Sequence, residues 1–173
     1  MKQNYVMIGF LFFLLTACGS NVDMVRGSYL EQFKQTKIGY AFESYFSDCY
    51  WHEFETDNKS TIVQFNGSKK LEGGIFDALK NDLKSGKIPV LKYYIQFSIN
   101  EDNSFDISYF GIAFPKEFYE KENSGYDEEV FKLMGAEKQE DGSFLIPITE
   151  SYKIYKELNA IYNNLPPLQY LLN

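Results

Sequence analysis

The chain has 173 residues, 45% of them hydrophobic and 24% charged, enough for one domain with a real core and too few for two large ones. Lys and Arg number 17 against 24 Asp and Glu, a net charge of −7, which excludes a protein that binds nucleic acid through counterion release. Aromatic residues reach 18%, with 16 Phe and 14 Tyr against one Trp, and that much ring surface must be buried, which excludes a disordered chain.

The N-terminus begins with Lys2 and an apolar run from Val6 to Ala17 broken by Gly9 and Thr16. That run is too short to span a bilayer as a helix. It closes in Leu15-Thr16-Ala17-Cys18, which resembles the lipobox of bacterial lipoproteins: a branched residue, a small polar one, Ala or Gly, then Cys. The resemblance implies cleavage before Cys18, with residues 1–17 as signal peptide. Cys18 would then carry a diacylglyceryl group on sulfur and a palmitoyl chain on its amine. Each buried CH₂ contributes about 0.8 kcal/mol, so several chains hold firmly. The expected location is the extracytoplasmic side of a bacterial membrane. Gly19, where retained inner-membrane members of the family commonly have Asp, favours the outer membrane in a Gram-negative host. The alternative is an ordinary secretory signal with an incidental Cys. Residues 18–27 read as a lipidated tether and 28–173 as a single domain.

With Cys18 lipidated, Cys49 has no partner in its own chain, so no disulfide is expected. Cys49 and His52 lie three apart on an extended stretch and point to opposite faces, which disfavours a nucleophilic dyad unless a bulge intervenes. One His and one spare Cys do not build the common zinc sites, and no metal or other cofactor is expected. Asp102, Asn103 and Asp106 lack the Gly and bidentate Glu of a calcium loop and read as a hairpin turn. Gly73-Gly74 lacks the following Lys-Ser or Lys-Thr of a phosphate loop, and no Ser has the flanks of a nucleophile elbow.

Along the mature chain, Ser28-Tyr29-Leu30-Glu31 has the form of a capping box. Thr36 precedes Ile38, Ala41, Phe42, Tyr45 and Phe46 at helical spacing, which predicts a helix over 37–47. Trp51 and Phe54, a turn at Asp57-Asn58-Lys59-Ser60 and Thr61 to Phe65 read as a strand hairpin. Leu91, Tyr93, Ile95, Phe97 and Ile99 alternate with polar residues, and after Glu101 to Ser104 the alternation resumes through Phe114, a second hairpin. A short helix over 75–83 is expected between the hairpins, stopped by Gly86. Asp127 caps another, to Met134. Thr149 caps a last helix through Asn164 that buries Ile154, Leu158, Ile161 and Leu165, and the apolar tail at Leu168, Tyr170, Leu171 and Leu172 tucks onto the domain. The fold class is thus α+β: an antiparallel sheet of about four strands covered by an N-terminal helix, with an inserted short helix and C-terminal helices.

A second resemblance rests on Thr36-Lys37-Ile38-Gly39-Tyr40-Ala41-Phe42, Trp51, Val63-Gln64-Phe65-Asn66-Gly67, Ile95-Gln96-Phe97 and Ser104-Phe105. This series is similar to a small exported bacterial domain found in lipoproteins and at the ends of surface proteins. It covers about residues 25–112 and departs from the pattern at Tyr40, where the domain has Glu, and by the insertion near 75–83. It implies a helix-plus-sheet fold and no catalytic residues.

The leading functional expectation is a non-catalytic envelope lipoprotein, not an enzyme, presenting a sheet edge or an aromatic and acidic surface to another envelope protein. A binding module for a small apolar or glycan ligand is the alternative, with Tyr93, Tyr94, Tyr109 and Trp51 as stacking surfaces. A hydrolase using Glu53 and Glu55 is a third, resting only on their proximity along one strand face.

Overall fold

The computed structural model describes residues 19–71, 89–116, 132 and 135–168. Among them are three α-helices, α1 (Asn21–Gly27), α2 (Ile38–Tyr45) and α3 (Ser151–Asn163), and a 3₁₀ turn at Glu31–Phe33. The strands are β1 (Ser47–Glu55), β2 (Thr61–Lys70), β3 (Val90–Ile99), β4 (Phe105–Phe114), β5 (Glu137–Lys138) and β6 (Phe144–Pro147). They form one antiparallel sheet in the order β1-β2-β3-β4-β6-β5. The class is α+β; the sheet has six strands where about four were expected. The helix expected at 75–83 lies outside the described residues, as do Cys18, Asp127, the segment 128–134 apart from Lys132, and Tyr170, Leu171 and Leu172.

Alternation places Leu91, Tyr93, Ile95 and Phe97 of β3 on one face with no more than trace exposure, beside Val63 and Phe65 of β2 and Phe110 and Ile112 of β4. α2 lays Ile38, Ala41, Phe42 and Tyr45 on this face, and α3 adds Leu158 and Ile161. Phe42 sits at the centre, its ring against Phe46, Trp51, Phe65, Phe97 and Tyr162 at centroid separations of 5.0 to 6.4 Å. Burying a ring of this size removes on the order of 150 Å² or more from water. Gly67 of β2 is required by this packing: a Cβ there would stand 2.6 Å from Phe65 Cζ and 2.9 Å from Phe46 Cβ.

The three hairpins share one turn. In Thr56–Ser60, Asn100–Ser104 and Gln139–Ser143 the first residue's N–H donates to the fifth residue's carbonyl, at 3.0, 2.8 and 2.8 Å. The fourth residue adopts the left-handed conformation in each, Lys59 at φ 61°, Asn103 at 62° and Gly142 at 81°. This is the three-residue hairpin loop, whose left-handed residue matches the strand twist. In two of them an Asp accepts from the following Ser: Asp102 from Ser104 N–H and Oγ–H at 2.9 and 2.6 Å, Asp141 from Ser143 at 3.0 and 2.6 Å.

Expectations are corrected at the ends of all three described helices. The stretch read as a tether is helical from Asn21, capped by Ser20 Oγ accepting from Asp23 N–H, and Val25 is fully buried. Ser28 therefore caps the C-terminus of α1 rather than opening a helix. α2 begins after Lys37, not a Thr36 side-chain cap, and stops at Tyr45 because Phe46 turns extended into the sheet. α3 follows Glu150 rather than Thr149, and its left-handed C-cap at Asn164 swings Leu165 out to 37% exposure. Leu168, itself at φ 57°, fills the core instead with no exposure.

β1 is the long free edge among the described strands, exposed along most of its length. Its register slips between Ser47 and Tyr50, where Asp48 takes φ 51°, a bulge of the kind that twists an edge away from further pairing.

Candidate functional site

All described helices pack on the first sheet face, leaving the second without a described helix upon it. Strand register orders this face into rows. His52, Gln64, Gln96 and Tyr109 lie side by side across β1 to β4, and Tyr50, Asn66, Tyr94 and Gly111 form the next row, with Pro147 of β6 beyond. These two rows contain no Asp, Glu, Lys or Arg, in a chain that is 24% charged.

The centre is a chain of amides. Gln96 Nε2 donates to Gln64 Oε1 at 2.8 Å, and Gln64 Nε2 donates to Asn66 Oδ1 at 2.8 Å. That direction leaves Gln96 Oε1 to accept and Asn66 Nδ2 to donate, a polarised pair of outward groups. Gly111 lets Tyr109 lie along its own strand, since a Cβ on Gly111 would stand 2.6 Å from the Tyr109 hydroxyl oxygen. Burial, then Glu137 and Tyr94 nearby, push the Tyr109 hydroxyl up. On β1 the rings behave differently: Tyr50 and His52 are 5.1 Å apart at 23°, His52 and Phe54 5.8 Å apart at 25°. His52 lies between the other two rings, Tyr50 and Phe54 stay exposed, and His52 Nδ1 is buried without a hydrogen-bond partner.

Of the four aromatic residues expected to stack a ligand, Tyr94 and Tyr109 lie on this face and the other two do not. Tyr93 is fully buried and Trp51 packs on Phe42, Phe65 and Phe97 beneath α2. The alternation of β3 separates Tyr93 from Tyr94, and the hydrophobic partner across β2, Phe65, draws Trp51 inward.

Cys49 and His52 are not brought together as a dyad. A bulge does intervene before Tyr50, yet the Cys49 thiol donates to Phe46 O at 3.4 Å, and burial, Glu43 and Asp48 push its pKa up. A thiol so placed is less nucleophilic, not more. Asp102 and Asn103 form the hairpin turn described above, and hydrogen bonds from Ser104 hold the Asp102 carboxyl below its usual range. Among the described residues no cluster of three or more His, Cys, Asp or Glu could hold a metal. Glu53 and Glu55 share one face of β1 and are exposed.

One titratable group was not foreseen. Glu157 of α3 has no exposed surface. Tyr93 Oη donates to its Oε2 at 2.9 Å, the Leu168 backbone also hydrogen-bonds it, and Oε1 has no partner. Burial outweighs these bonds and pushes the carboxyl up to about 7. Tyr45, from α2, is pushed up by burial and by Glu157, and its hydroxyl donates to Leu165 O at 3.0 Å. The helical period of α3 places residue 157 between Ile154 and Ile161 on the inner side, a signal present in the sequence. A carboxyl sealed from solvent does not meet a substrate, so this group belongs to the stability of the fold. No described helix is long and apolar enough to cross a membrane. No family model matches the sequence, and comparison with curated proteins and with solved structures gives no match either.

Proposed function

We propose that the chain is a lipid-anchored bacterial envelope lipoprotein, acylated at Cys18, whose domain is a non-catalytic interaction module for another envelope protein. The observation that supports it is Leu15-Thr16-Ala17-Cys18, placed directly before a domain with a broad sheet face that carries no described helix. The test is metabolic labelling with a clickable palmitate analogue in wild type and Cys18→Ala, with membrane fractionation and recovery of crosslinked partners. Label and membrane residence that vanish in the variant, with a stoichiometric partner, support the reading; an unlabelled, soluble wild type refutes the anchor.

A second reading is favoured by the uncharged amide chain of Gln96, Gln64 and Asn66 beside Tyr94 and Tyr109. Amides that offer one donor and one acceptor next to aromatic rings suit a neutral, hydroxyl-rich ligand such as a glycan. Calorimetric titration with envelope glycan fragments tests it. Binding lost in Tyr109→Ala supports this reading, and no heat across the panel removes it. Trp51 fluorescence is a poor reporter here, because that ring lies on the other side of the sheet.

A further inference from the structure

Two residues, Gly19 and Ser20, separate Cys18 from α1. That helix is packed onto the core through Val22, Met24 and Val25. Ser20 caps it, Val25 is fully buried, and Arg26 lies against α2 so closely that a Cβ on Gly39 would come within 3.0 Å of Arg26 Cβ. An extended chain covers at most about 3.5 Å per residue, so Cys18 stands roughly 10 Å or less from Asn21. Beyond α1, Arg26 Nη2 meets Glu43 Oε1 at 2.7 Å, and the same oxygen accepts from Trp51 Nε1 at 3.1 Å. Following this path, with about 1.5 Å of rise per helical residue and an extended Arg side chain, the single Trp lies within roughly 30 Å of Cys18.

We propose, resting on the lipoprotein reading, that the domain has no free tether and rides directly on the lipid headgroup layer, with the α1 end of the molecule facing it. Sequence composition alone assigned ten residues to a flexible spacer, which would let the domain wander from the membrane. Docking of α1 into the core removes all but Gly19 and Ser20 of that freedom. A partner must then come to the membrane plane, as an integral protein or another anchored one does, because this domain does not reach out to it.

The acylated full chain, extracted from membranes and reconstituted into phosphatidylcholine vesicles containing dansyl-labelled phosphatidylethanolamine, reports the distance through energy transfer from Trp51. A spacer variant carries about twenty Gly and Ser residues between Gly19 and Ser20, a coil spanning about 25 Å on average, and keeps the Ser20 cap. Strong transfer in the parent that falls by more than half in the spacer variant is expected. Weak transfer in the acylated parent, or equal transfer in both proteins, overturns the proposal even if the anchor stands. An intact mass without acyl groups overturns the lipoprotein reading itself, and this proposal with it.

Discussion

Replacing Glu157 by Gln should remove a pH dependence from the stability of the fold. The carboxyl titrates at its ordinary 4.5 in the unfolded chain and at about 7 in the fold. Between those values the folded state keeps a proton that the unfolded state has released, so the fold binds more protons and stability falls as pH rises. The contribution is fully present below about pH 4.5, is lost through about pH 7, and amounts to about 3 kcal/mol. Tyr45, whose hydroxyl interacts with Glu157, is itself pushed up by burial, stays uncharged over this window and adds no slope of its own. Gln keeps the volume and accepts from Tyr93, and it has no proton to lose. Urea denaturation followed by Trp51 fluorescence from pH 4.5 to 8 should therefore show the variant gaining about 3 kcal/mol on wild type across the range. Parallel profiles for the two proteins would refute the argument, since they would mean that Glu157 titrates alike in both states.

Tyr93→Phe removes the hydroxyl that stabilises the ionised carboxylate, so the midpoint of the same stability loss should move to higher pH in an identical titration. Gly67→Ala should destabilise by about 1–3 kcal/mol, because Phe46 Cβ is fixed to the backbone and does not retreat from a new methyl group; thermal melting of the pair measures it. Lys59→Gly should stabilise by about 0.5–1 kcal/mol, since a left-handed Lys is strained where Gly is not, and Asn103→Gly should give less, Asn tolerating that conformation. Denaturant midpoints for these two variants compare the hairpins directly. An exposed ion pair changes little, so Glu43→Gln should cost under about 1 kcal/mol despite breaking the Arg26 contact, while shifting Trp51 emission.

β3 was legible because one buried face imposes alternation, which it displays without a break, and β1 and β2 through aromatic and β-branched residues on either side of a turn. β5 and β6 were not, since two and four residues are too short to show a period. A signal was nonetheless present: Glu140-Asp141-Gly142-Ser143 repeats the chemistry of Glu101-Asp102-Asn103-Ser104, and the same chemistry builds the same turn. α1 was misread because its buried side chains are few, with Val25 alone sealed, and its small polar residues resemble a linker. Ser20 and Asp23, at capping-box spacing, mark where it starts. On the second sheet face, the aromatic residues were visible in the sequence and their sides were not. Which of Tyr93 and Tyr94 points inward follows from period two once the register is known, but Trp51 is assigned only by its cross-strand neighbour Phe65.

β1 has a consequence for self-association. Its nine residues carry Asp48, Glu53 and Glu55 and no Lys or Arg. Were two copies to join edge to edge about Phe54, Glu53 of each would lie opposite Glu55 of the other at a cross-strand separation of about 5 Å, where like charges repel. Copies crowded into one layer are then opposed to pairing through this end of β1. The acidic side chains and the bulge at Asp48 therefore act together, leaving the edge open among the described strands without inviting a second copy to extend the sheet.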